Sequence, residues 1–161
     1  FLNKNKEKLH QDPIYIEKND KIPVEIEIQH TTSYAENIYN FVIKNISYDE
    51  GKAQNVSYGY LPNVDDTLAS GTGICFDYAA LMTAMLRSQN IPTKLEVGYS
   101  GDTYHAWIST YVDDKGWVDN IIEFDGDSWQ IMDPTLGANN DSKSVKKYVG
   151  DGSHYVVKYT Y

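Results

Sequence analysis

The apolar residues of this chain change their period about halfway along it, and that change limits the possible folds more than any other feature. In the first half they recur at three- and four-residue steps, once as Tyr34, Ile38, Phe41, Val42 and Ile46 and again as Ala79, Met82, Met85 and Leu86. Steps of that length put side chains on one face of a helix. Thr31, Thr32 or Ser33 can cap the first helix, and the second runs from Cys75 to about Gln89, where Asn90 and Pro92 stop it. Beyond it the pattern shortens into runs that read as strands: Lys94 to Tyr99, His105 to Val112, Trp117 to Ile122, Trp129 to Met132, and Tyr155 to Tyr161. Ser100-Gly101-Asp102, Asp113-Asp114-Lys115-Gly116 and Asp125-Gly126-Asp127 separate several of them with hairpin-type turn residues. Helices first and hairpin-linked strands afterwards predict an α+β fold with a mostly antiparallel sheet.

Two further segments fit less simply. Ile22-Pro23-Val24-Glu25-Ile26-Glu27-Ile28 alternates with the period of a strand, weakened by its Pro, and helix is the alternative. From Ser47 to Asn63 there is neither period, and the stretch reads as a long surface loop of the kind that often belongs to a site. The polar residues 1–30 read as a lead-in and residues 31–161 as a single domain, close to the usual size of about 150 residues.

Composition narrows the function. Aromatic residues make up 13% of the chain, 14 of them Tyr, so a core can be filled without covalent staples. Cys75 is the only cysteine, which excludes an intrachain disulfide, a Cys-rich zinc site and an iron-sulfur cluster. With 14 basic against 23 acidic residues the net charge is −9, and Arg87 is the only arginine. Phosphate recognition needs clustered Lys and Arg, so nucleic acid and anionic membrane surfaces are not expected partners. No apolar run approaches the roughly eighteen residues of a membrane span. The opening Phe1 in place of Met leads us to expect part of a longer product, and the Tyr-, Asn- and Asp-rich acidic composition an extracellular or cell-envelope setting.

Three residues stand in positions suited to chemistry. Cys75 follows Gly71-Thr72-Gly73-Ile74 and opens a helix, where unpaired backbone N–H groups and the positive end of the helix dipole favour a thiolate. Its own N–H would point at an oxygen anion forming on an attacked carbonyl. A lone cysteine elsewhere in a helix would more simply be a small core residue. Of the four histidines, His10, His30 and His154 lie in weak contexts, whereas His105 opens a strand in the middle of the sheet. Asp133 closes the run Trp129-Gln130-Ile131-Met132, flanked by apolar residues, while Asp113, Asp114, Asp125 and Asp127 sit in turns. A carboxylate ending a buried strand needs a partner, and His105 is the candidate.

With its neighbours this set resembles the transglutaminase-like superfamily. Gly73-Ile74-Cys75-Phe76-Asp77-Tyr78-Ala79 is similar to that family's active-site helix, and His105-Ala106-Trp107 and Asp133-Pro134-Thr135 to its other two signatures, in the same order. The resemblance implies a papain-like fold with Cys75 as nucleophile, His105 as base and then acid, and Asp133 as the carboxylate that orients the ring. It also implies an aromatic oxyanion donor on the loop before the nucleophile, a position that Tyr60 resembles with Tyr in place of the usual Trp. The family's calcium sites find no matching acidic cluster, so no metal or other cofactor is expected. The implied reaction is acyl transfer through a thioester, on a protein, peptide or peptidoglycan substrate, ending in crosslinking or in hydrolysis. A noncatalytic carbohydrate- or protein-binding module of a larger surface protein is the rival, and neither reading sets an oligomeric state.

Overall fold

The computed structural model describes residues 24–112, 115–118, 122–125 and 128–161, with side chains at 34–111, 130–141 and 143–161. Helix α1 (Val24–Asn45) supplies Ala35, Ile38, Tyr39 and Val42 to the core, all on one face. It begins inside the segment read as a lead-in and runs through Val24 to Ile28, so the alternation there is helical and not a strand. Thr31, Thr32 and Ser33 lie within this helix and do not cap it. Alternation over so few residues is weak beside the three- and four-residue pattern that continues to Ile46.

The stretch read as one long loop is partly built. It holds strand β1 (Ser47–Tyr48) and helix α2 (Glu50–Asn55), which Asp49 caps by accepting from the Lys52 N–H at 2.8 Å. Helix α3 (Val64–Ser70) follows, capped by Asn63 and closed by Gly71 in the left-handed conformation. Strand β2 (Thr72–Gly73) pairs parallel with β1 and leads into helix α4 (Cys75–Ser88). Tyr78, Ala79, Met82 and Leu86 of α4 are fully buried. Each large side chain of that set removes apolar surface worth about 1.5–3 kcal/mol from water. Asn90, left-handed at φ 60°, ends the helix, and the Ile91 N–H closes back on the Leu86 carbonyl at 3.1 Å.

Strands β3 (Thr93–Ser100), β4 (Thr103–Val112), β7 (Ser128–Met132) and β8 (Tyr155–Thr160) form an antiparallel sheet in the order β7-β4-β3-β8. The run read as Trp117 to Ile122 is instead parts of a separate pair, β5 (Lys115–Val118) and β6 (Ile122–Asp125). The turn residues Asp113, Asp114, Gly126 and Asp127 lie outside the described set. Helices α5 (Pro134–Asn139) and α6 (Ser142–Val149) follow β7. Helix α4 packs on β3 and β4 through Val97, Ala106 and Ile108, with α1 against its other side. The fold is therefore α+β, with the Cys75-bearing helix on an antiparallel sheet. Arg87 ties the far end of α4 to the sheet, donating to the Thr93 carbonyl at 2.7 and 2.9 Å and to that of Tyr161 at 2.7 Å. Its charge is thus used inside the fold. No helix among the described residues is long and apolar enough to cross a membrane.

Candidate active site

Cys75 is the first residue of α4 and is half-buried. The turn that delivers it is fixed by Asp77, whose fully buried carboxylate accepts from the Ile74 N–H at 2.8 Å. Gly73 has to be glycine because a Cβ there would lie 2.6 Å from the Cβ of Asp77. Asp77 also pairs with the Lys52 ammonium at 2.7 Å and accepts from the Tyr60 hydroxyl. Lys52 sits 4.6 Å above the centre of the Tyr60 ring. Three segments distant in sequence are therefore locked around the start of α4.

The β4–β7 register sets Ile108 opposite Met132, which brings the beginning of β4 beside the residue that follows β7. There His105 Nε2 lies 2.7 Å from Asp133 Oδ2, with side-chain exposures of 15% and 1%. The same carboxylate caps α5 by accepting from the Leu136 N–H at 2.9 Å, and it accepts from the buried Tyr155 hydroxyl at 3.0 Å. Trp107 stacks near the imidazole with ring centres 6.3 Å apart. Its own indole N–H is held by Glu96 at 2.9 Å, an acceptor shared with Ser109 at 2.6 Å. With Nε2 committed to Asp133, Nδ1 is the nitrogen left for sulfur. Burial opposes a charge on His105, but hydrogen bonds to Asp133 and to the Cys75 side chain, and the attraction of both, push its pKa from 6.5 up to about 10.

Cys75, His105 and Asp133 are thus gathered from a helix start, a strand and a helix cap. Tyr60 does not join them. Its one phenolic hydrogen goes to Asp77, so its hydroxyl is not free to face an attacked carbonyl. The sequence reading also passed over Tyr155 and Asp77. Both reach their partners through contacts between distant elements, although Asp77, three residues after the helix cap, occupies a position where a carboxylate commonly reaches back. His154 is outside the set, packed edge-on against Tyr148 at 4.7 Å. Among the described residues no group of three His, Cys, Asp or Glu side chains could hold a metal ion. A cleft of about 320 Å³ opens on the His105–Asp133 flank, bordered by Tyr48, Glu50, Thr135, Asn139 and Tyr148. Cys75 is not on its wall, but Tyr48, which is, stands on β1 opposite Gly73, two residues before the cysteine.

Residues 21–120 match the core of the transglutaminase-like superfamily. The chain belongs to that superfamily. UPF0252 protein MJ1282 of Methanocaldococcus jannaschii is 31% identical over 126 residues, 65% of this chain and 36% of its own length. Several solved structures are similar, two of which cover about 70% of this chain. One, described as a TGase, has 14% identity and a TM-score of 0.46 over 73% of this chain and 34% of its own. The other is LapG of Legionella pneumophila, with 19% identity and a TM-score of 0.44 over 71% of this chain and 55% of its own. The chain therefore spans well under two thirds of each of these proteins.

Proposed function

We propose that this transglutaminase-like domain is a thiol-dependent enzyme that transfers the acyl group of an amide through a thioester on Cys75. The observation that carries the reading is the placement of His105, hydrogen-bonded to Asp133 at 2.7 Å and close enough to Cys75 for the two side chains to interact. Because these contacts favour the charged ring, His105 enters the reaction already carrying a proton, taken from the thiol. Sulfur attacks the amide carbonyl, the C–N bond breaks, and His105 passes its proton to the departing amine. The neutral ring then serves as base for the amine or water that resolves the thioester. Asp133 holds the ring in one orientation throughout and in one tautomer once it is neutral, and its own orientation is set by Leu136 and Tyr155. The substrates that fit this chemistry are glutamine side chains or peptide bonds in proteins or peptidoglycan, outside the cytoplasm.

The deciding experiment offers a glutamine dipeptide and a labelled primary amine, and follows ammonia release and label uptake by mass. Ammonia with label marks a transferase, and ammonia without label a hydrolase. Cys75→Ala is expected to abolish both while leaving the melting curve near wild type. Asp133→Asn is expected to lower turnover by about ten-thousand-fold. Turnover that survives Cys75→Ala would remove the thioester from the account.

A further inference from the structure

In acyl transfer through a thioester the acyl half of the amide stays on sulfur, and the nitrogen half comes and goes beside the base that exchanges protons with it. The two halves therefore occupy different sides of the Cys75–His105 pair. The cleft of about 320 Å³ opens on the His105–Asp133 flank and Cys75 is not on its wall, so it faces the nitrogen half. Its volume is at the small end for ligand pockets.

The wall of the cleft is rich in acceptors. Among the described residues no Lys or Arg borders it, and the Asp133 carboxylate is paired with the His105 ring. The charge left over is the exposed carboxylate of Glu50 in the first turn of α2, which has no ion-pair partner among the described residues. Asn139 and Asn140 turn amide N–H groups back onto the Thr135 and Leu136 carbonyls at 2.8 and 3.1 Å, which leaves each Oδ1 as an acceptor without a donor among the described residues. Thr135 borders the same cleft at 9% exposure, and its buried hydroxyl has no hydrogen-bond partner. A buried hydroxyl left unpaired is uncommon and calls for an explanation. One carboxylate, two amide oxygens and this hydroxyl suit a group that brings several N–H donors and a positive charge, which is an ammonium.

We propose that the nitrogen half of the substrate carries a positive charge besides the reacting nitrogen, and that Glu50 selects it with the amide oxygens of Asn139 and Asn140, an assignment that rests on the acyl-transfer reading above. The reacting nitrogen cannot be that charge. It has to be neutral to attack the thioester: its lone pair forms the C–N bond, the C–S pair returns to sulfur, and its surplus proton goes to His105. A second ammonium keeps its protons and stays bound throughout. Diamines and diamino acids are the chemical class that fits, and Glu50 is a specificity residue that takes no part in bond making.

The test varies the far end of the amine alone. Diaminopentane, pentylamine and aminopentanoate, each with a terminal amine on a five-carbon chain, carry a positive, a neutral and a negative tail. Each is titrated by NMR into Cys75→Ala, which keeps the cleft and forms no thioester. The diamine should bind about five- to tenfold more tightly than pentylamine, beyond the roughly twofold that two equivalent ends give by statistics, and aminopentanoate should bind most weakly. Adding Glu50→Gln should bring the ratio of diamine to pentylamine down to about two. Adding Asp65→Asn, at an exposed carboxylate off the cleft wall, should leave the ratio as it was. Equal affinities for the three amines overturn the proposal. A preference that survives Glu50→Gln, or falls as far in Asp65→Asn, belongs to the net charge of −9 and overturns the assignment to Glu50. Wild-type protein that prefers the diamine in binding but releases no ammonia from the glutamine dipeptide overturns the acyl-transfer reading, and the nitrogen-side role of the cleft with it.

Discussion

Asp133 accepts three hydrogen bonds at once, from the His105 ring, the Tyr155 hydroxyl and the Leu136 backbone, and each does a different job. The backbone bond fixes where the carboxylate is, the phenol fixes its rotation, and the imidazole uses it. Burial and then the nearby carboxylate raise the Tyr155 pKa well above the ordinary phenol range, so the phenol acts as a donor at every working pH. Tyr155→Phe removes one bond to a charged acceptor and should cost about 1.5–3 kcal/mol, read from denaturant midpoints. Should the carboxylate rotate as a result, turnover falls with it, while an unchanged midpoint would show that the phenol is not holding Asp133. Cys75, His105 and Asp133 stand out as candidates in the sequence partly by local context, a cysteine after Gly-x-Gly, a histidine opening a strand and an aspartate between apolar residues, and more by the family resemblance of the segments around them. Tyr155 does not, since 14 tyrosines look alike until register and packing assign them neighbours.

At the level of elements, the start of α4 is held less by helix propensity than by Asp77, which joins α4 to α2 and to the loop after it. The pair with Lys52 is asymmetric: the lysine side chain keeps 32% of its exposure and the aspartate none. Lysine left alone can rehydrate, whereas the carboxylate cannot. Lys52→Met should therefore cost about 3 kcal/mol or more, the usual loss when a buried ion loses its partner. Asp77→Asn, which keeps the size and a weaker acceptor, should cost less. Equal midpoints for the two variants in urea would show that the pair is effectively solvated. Gly73→Ala forces a Cβ into that of Asp77 and should destabilise by about 1–3 kcal/mol while slowing cysteine alkylation, because the turn that presents the sulfur must shift. The long helices and the main strands were legible because their apolar periods run over many residues. The short helices α2, α3, α5 and α6 were not, because they depend on caps from Asp49, Asn63, Asp133 and Asp141 more than on an apolar stripe.

The whole molecule carries a net charge of −9, and the His105 ring lies largely shielded beside the buried Asp133 carboxylate. Folding raises the pKa of that ring from 6.5 to about 10, so the folded state binds a proton that the unfolded chain has already released at intermediate pH. The sign follows directly. The stabilisation is complete below about pH 6.5, declines through the interval above it, and is gone once pH exceeds about 10. Repulsion among the surface carboxylates also weakens the fold, but it acts through solvent, where about 0.1 M salt limits its range to about 10 Å. A charge enclosed between Asp133 and Cys75 escapes most of that screening. Urea midpoints measured at pH 6, 8 and 10, at low and high salt, separate the two effects. Salt should raise wild type and His105→Gln alike, whereas the advantage of wild type over His105→Gln should persist in salt and shrink steadily towards pH 10. In NMR spectra the His105 ring should titrate near pH 10 in wild type and at lower pH in Asp133→Asn. A difference between wild type and His105→Gln that stays constant from pH 6 to pH 10 would mean that the ring is neutral in the folded protein, and the proton that the proposed mechanism hands to the leaving amine would then need another source.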